Sequence, residues 1–202
     1  MPNRPVIDFW YEFASTYSCL SALRIEGLAE SAGVAVRWRP FLLGPIFAAQ
    51  GWTSSPFNLY PNKGRYMWRD IERRAARDGL RIVRPETFPQ NSLVAARLAL
   101  AGREAGWMPA FSQALFRAQF GEGRNIAEEA VLSQALRAAG ADPVAVFPAS
   151  RSEEVKGRLK AETELAKSLG IFGAPTFVTE DGELFWGDDR LEEALAWAKD
   201  GR

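Results

Sequence analysis

Histidine is absent from the 202-residue chain. That absence removes imidazole as base or metal ligand, and with it the serine and cysteine triads built on imidazole. A single cysteine, Cys19, excludes an internal disulfide and a thiolate zinc centre, so thiol chemistry must use Cys19 alone or borrow sulfur from a ligand. Net charge is also missing: 25 Lys plus Arg cancel 25 Asp plus Glu, leaving no global field to recruit nucleic acid or an anionic membrane. No apolar run approaches the ~20 residues that cross a bilayer. Arg4 and Asp8 interrupt the apolar residues near the N-terminus, so no signal-peptide core is present there. These absences predict a cytoplasmic protein in a reducing compartment, with no nucleic-acid or membrane partner.

What is present is ordinary globular material, 47% hydrophobic and 12% aromatic, enough for one domain with a large insertion. Residues 6–13 (VIDFWYEF) are short, apolar and aromatic, which predicts a buried strand. Ser15 then stands at a helix N-cap position, and apolar residues follow at helical spacing until Gly33. Residues 34–38 (VAVRW) alternate as a second strand, completing a βαβ unit with parallel strands. Residues 39–62 carry four prolines and two glycines and read as a long, mostly irregular segment. Helical patterns dominate from residue 63 to about 158, with breaks at Pro89, Pro109 and Pro143 among others, and a further helix covers 153–169. Residues 175–179 and 183–186 are β patterns joined by Glu180-Asp181-Gly182, a hairpin signal, and a last helix follows from about residue 189.

Chemistry concentrates at a few places. A strand delivers Phe13-Ala14-Ser15-Thr16-Tyr17-Ser18-Cys19 onto a helix N-terminus, where unpaired N–H groups and the helix dipole stabilise an anion such as a thiolate. An ordinary serine N-cap explains the same spacing, and no base exists to make Ser15 a nucleophile. Cys19 reads as a small core thiol. Asp188 and Asp189 precede the last helix, with Glu192 echoing a capping box. Between Lys63 and Asp78 six basic residues face three acidic ones, and Lys63, Arg65, Arg69, Arg73 and Arg77 form nearly one stripe; a solvated face is its plain explanation.

The order β-α-β, helical block, β-β-α resembles a thioredoxin fold split by a helical insertion, as in the DsbA disulfide oxidoreductases. Their active site is C-x-x-C at the first strand-to-helix junction; this chain has Ser15-Thr16-Tyr17-Ser18, which removes disulfide exchange. More specifically, the chain resembles the 2-hydroxychromene-2-carboxylate isomerases and, less closely, the kappa-class glutathione transferases. The resemblance spans nearly the whole chain. It rests on Asp8-Phe9, Phe13-x-Ser15 with Tyr17-Ser18, Pro61-Asn62-Lys63-Gly64-Arg65-Tyr66-Met67, Phe172-Gly173-Ala174-Pro175-Thr176-Phe177 and Phe185-Trp186-Gly187-Asp188-Asp189-Arg190. Thr16 departs from the proline of the family pattern, the Trp52-Thr53 region lacks an asparagine, and Asp188 replaces a frequent Asn or Ser.

The resemblance implies an α/β, thioredoxin-like domain formed by residues 1–40 and 155–202, interrupted by a helical insertion subdomain at 41–154. It implies glutathione as cofactor, an unsaturated aromatic keto acid as substrate, Ser15 as the catalytic contact to sulfur, and a fold compatible with a homodimer. Ala174-Pro175 would be cis and present its backbone to the cysteinyl part, although an X-Pro bond judged from sequence alone is trans. Lys63 would approach the glutathione or the substrate carboxylate. Asp189 would accept the γ-glutamyl ammonium while the helix N-terminus takes its carboxylate, with Asp188 beside it. A kappa-like transferase and a non-catalytic glutathione- or peptide-binding module are the alternatives.

Overall fold

The computed structural model describes residues 4–201. Strand β1 (Val6–Tyr11) lies at the centre of a four-stranded sheet. Helix α1 (Thr16–Ala32) connects it to β2 (Ala35–Pro40), which pairs with β1 in parallel. Strand β3 (Thr176–Thr179) pairs antiparallel with the other edge of β1, and β4 (Leu184–Trp186) completes the order β2-β1-β3-β4.

Between β2 and β3 the regular structure is helical, joined by irregular connections of which 78–92 is the longest: α2 (Leu43–Ala49), α3 (Pro56–Leu59), α4 (Pro61–Arg77), α5 (Leu93–Ala101), α6 (Met108–Phe116), α7 (Glu129–Ala138), α8 (Pro143–Ser150) and α9 (Glu153–Ser168). A 3-10 turn, Asp188–Arg190, leads into the final α10 (Leu191–Asp200). The expectation of a mostly irregular 39–62 segment is corrected here, since two short helices occupy much of it and α4 starts at Pro61. The prolines were misleading because they sit in first turns: Pro56, Pro61, Pro109 and Pro143 each occupy N1 or N2. A first-turn N–H has no intrahelical acceptor to lose, so proline is tolerated there. Asp142 caps α8 by accepting from the Val144 N–H at 3.0 Å, turning an apparent break into a start.

Alternation along β1 sorts its side chains onto two faces. Ile7, Phe9 and Tyr11 join Phe177, Leu20, Ile25 and Leu195 in the main core, which continues through Met67, Leu98, Phe111 and Leu132 of the intervening helices. Trp10 and Val178 face the opposite way, onto Phe41, Ile46 of α2, Ala166 of α9 and Ile171. One continuous apolar cluster therefore joins the sheet to the helices inserted between its strands. Among the described residues, no helix is long and apolar enough to cross a membrane.

Candidate functional site

The strand ends at Tyr11, two residues short of the apolar run, because the chain turns at Glu12. The Ser15 N–H donates to the Glu12 carbonyl at 3.0 Å, and the Glu12 carboxyl accepts from the Ala14 N–H at 2.7 Å. Ser15 is thereby set at the N-cap of α1. Its Oγ accepts from the Ser18 N–H at 3.1 Å and donates to the Ala174 carbonyl at 2.9 Å. The Ala174-Pro175 bond is cis. Close packing supports that loop: a Cβ on Gly173 would fall 2.3 Å from the Trp186 indole nitrogen, so only glycine lets the Trp186 ring lie there.

Tyr17, one residue inside the four-residue motif, donates its hydroxyl to Asp70 of α4 at 3.0 Å. Its ring lies 6.4 Å from that of Phe57 and 5.8 Å from the Arg74 guanidinium. Gly64 allows α3 and α4 to come together, since a Cβ there would sit 2.3 Å from the Phe57 carbonyl oxygen. Burial pushes the Asp70 carboxyl upward, but bonds from Tyr17, Arg73 and Arg74 outweigh it and hold it below its ordinary value. The Tyr17 phenol is raised, by burial first and then by Asp70.

Asp188 is buried, and its Oδ1 accepts from Ser21 at 2.9 Å and Arg24 at 2.8 Å, both on α1. Its Oδ2 accepts from Arg74 of α4 at 3.2 Å. Expected to stand beside the ligand, Asp188 has both oxygens taken by protein groups. Asp189 is exposed and lines a cavity of about 480 Å³ together with Arg24, Asp70, Arg73, Arg74, Arg77 and Glu192, with Asp188 at its wall. Arg73 and Arg77, expected on a solvated face, therefore border this cavity. Lys63 stands exposed in the first turn of α4, its ammonium 5.0 Å from the Tyr60 ring and outside the hydrogen-bonded cluster at Ser15.

Cys19 is buried, with its Sγ 3.9 Å from the Phe116 carbonyl, and desolvation pushes its thiol upward. A neutral, enclosed thiol cannot serve as the nucleophile of this site.

A family model described as a DSBA-like thioredoxin domain matches residues 6–196. The chain belongs to this family. Within it, the DSBA-like chain is 28% identical over 187 residues to a 2-hydroxychromene-2-carboxylate isomerase of Sphingobium xenophagum, covering 92% of this chain and 94% of the relative. A solved 2-hydroxychromene-2-carboxylate isomerase superposes with a TM-score of 0.82 at 28% identity, covering 92% of this chain and 90% of the other. Glutathione S-transferase kappa 2 of Caenorhabditis elegans is 26% identical, covering 96% and 91%.

Arg24, Asp70, Arg74 and Glu12 of this DSBA-like site escaped the sequence reading. Arg24 and Asp188 lie 164 positions apart, and nothing in their spacing links them. Asp70 and Arg74 are an i,i+4 pair whose signal was diluted by the surrounding arginines. Glu12 carried a clearer sign, an acidic residue at the buried end of an apolar strand pattern.

Proposed function

We propose that the chain is a glutathione-dependent cis/trans isomerase acting on an unsaturated aromatic keto acid, a reading supported by its similarity to proteins named 2-hydroxychromene-2-carboxylate isomerase. The observation that carries this reading is Ser15, at the positive end of α1 and bonded to the cis Ala174-Pro175 segment, in a motif with serine at both ends. The site offers a place for sulfur and no sulfur of its own.

The residues fit glutathione. Four guanidinium groups and four carboxylates line the cavity beside α1, a balance that suits the zwitterionic γ-glutamyl end better than a simple anion. Asp189 accepts the ammonium and the N-terminus of the last helix takes the carboxylate, with the arginines of α4 lining the same cavity. Asp188 acts indirectly, joining Arg24 of α1 to Arg74 of α4 and so fixing two walls. Ala174 and Pro175 hold the cysteinyl backbone, and Lys63 serves a carboxylate of substrate or cofactor.

When bound, glutathione supplies a thiolate that adds reversibly to a conjugated carbon, so that a double bond becomes single, rotates and is restored on elimination. Ser15 Oγ–H and the unpaired N–H groups of α1 favour negative charge at that position. Tyr17, tied to Asp70, and Phe57 beside it form an aromatic wall for the substrate ring. No protein group is consumed, and Ser15 needs no base because it only donates.

The experiment is to follow 2-hydroxychromene-2-carboxylate spectroscopically with and without glutathione while titrating free thiol. Isomerisation that requires glutathione and leaves thiol constant supports the reading. Falling thiol with a conjugate formed would instead identify a kappa-like transferase, and glutathione binding without turnover a binding module. Isomerisation at equal rate without glutathione would remove the cofactor from the proposal.

A further inference from the structure

Glu12 is 6% exposed at the root of the Ser15 turn. Its Oε2 accepts from the Ala14 N–H at 2.7 Å, and its Oε1 is paired with the hydroxyl of Ser92, the N-cap residue of α5. The Glu12 N–H points to the Ser18 hydroxyl at 3.4 Å, and its carbonyl takes the Ser15 N–H. The groups that hydrogen-bond Glu12 are neutral: Ala14 from the turn and Ser92 from α5 at its carboxyl, and Ser18 from α1 at its backbone N–H. Among the described residues no charged side chain acts on the carboxyl, and burial is the leading influence, pushing it up to about 7. A buried carboxyl with no cation is costly when ionised. Both its protonated and its ionised forms satisfy Ser92, since either oxygen of that pair can carry the proton. The turn therefore survives a change of charge, and what changes is the field at Ser15.

We infer that Glu12 is a positioning residue for the sulfur site: through Ala14 and Ser92 it sets the turn that aims Ser15, and its buried charge opposes a negative sulfur held there. The inference rests on the reading of Ser15 as a thiolate-binding group. Coupling of this kind is reciprocal, so a negative sulfur keeps Glu12 protonated and an ionised Glu12 disfavours the thiolate.

Two measurements on the full chain test it, and neither uses glutathione. In the first, the Ala14 amide resonance is followed from pH 5 to 9; an inflection near pH 7 is expected, and it should vanish in Glu12→Gln, whose amide can still bridge Ala14 and Ser92. In the second, Ser15→Cys places a thiol at the site, and its alkylation rate is measured against pH with and without Glu12→Gln. Removing the charge should lower the midpoint by roughly one pH unit. The buried Cys19 should stay unreactive. An Ala14 resonance indifferent to Glu12→Gln, or equal alkylation midpoints, overturns the inference. Failure of wild type to bind glutathione would overturn the isomerase reading instead, so the two failures are distinct.

Discussion

The Ser15 hydroxyl gives its only proton to the Ala174 carbonyl, 2.9 Å away across 159 positions of sequence. The first helix and the cis-proline loop are thus joined by the atom proposed to meet sulfur. To donate to a thiolate, the hydroxyl must give up Ala174. The gain is the difference between a hydrogen bond to a charged acceptor, about 1.5–3 kcal/mol, and one to a neutral acceptor, about 0.5–1.5 kcal/mol. That difference is roughly one pKa unit of the bound thiol.

Ser15→Ala should therefore raise the bound thiol by about one pKa unit and lower turnover near neutral pH by about tenfold. It should also cost about 0.5–2 kcal/mol of stability, because the Ser18 N–H loses its cap. Thiolate absorbance of the bound cofactor across pH, with urea melts of both proteins, separates the two effects. Superimposable titrations with unchanged turnover would leave Ser15 as a helix cap alone.

Cys19 should be inert. Its thiol is buried and pushed upward, and serines occupy both cysteine positions of the oxidoreductase motif. Insulin reduction should stay at background, and Cys19→Ala should leave turnover within about twofold, since the residue contributes packing alone. A collapse of turnover with the fold intact by circular dichroism would contradict that assignment.

The sheet and its flanking helices were legible because local rules determine them: a short apolar, aromatic run at β1, alternation at β2, an N-cap serine, an Asp-Gly hairpin. Ser15, Pro175 and Asp189 were singled out through the family resemblance; by position alone they read as an ordinary N-cap, a trans proline and a capping acid. The 39–62 segment was misread because proline marks a helix start as readily as a break, and the choice depends on whether the chain can turn beneath it. The ion cluster of Arg24, Asp70, Arg74 and Asp188 was not legible. It joins residues of three separated elements, and their pairing is decided by how α1 and α4 pack.

Glu12 should leave a mark on stability as well. Its carboxyl moves from an ordinary 4.5 to about 7 in the folded protein, so the folded state binds the proton more tightly. Stability from this group is fully present below pH 4.5 and is lost as pH rises through 7, roughly 3 kcal/mol in total. Glu12→Gln cannot ionise and escapes the loss. Urea melts at pH 4 and pH 8 should show the variant gaining on wild type by about that amount. Stability differences that stay constant with pH would mean that Glu12 is ionised at little cost.

The adjacent acids Asp188 and Asp189 should separate cleanly into a structural and a ligand-facing role. Asp188→Ala strips the partner from Arg24, Arg74 and Ser21 at once. Removing one member of a buried ion pair costs about 3–5 kcal/mol, and partial exposure of the two arginines reduces this to about 2–3 kcal/mol. Asp189 is exposed, so Asp189→Ala should change stability by no more than about 0.5 kcal/mol. Its effect should appear in glutathione affinity, weakened by about 1.5–3 kcal/mol through loss of a charge-assisted bond to the ammonium. Calorimetry with glutathione and with a deaminated analogue completes the test, because Asp189→Ala should abolish the preference for the ammonium-bearing ligand. A variant that melts like wild type and still prefers glutathione over the analogue would take Asp189 out of the binding site.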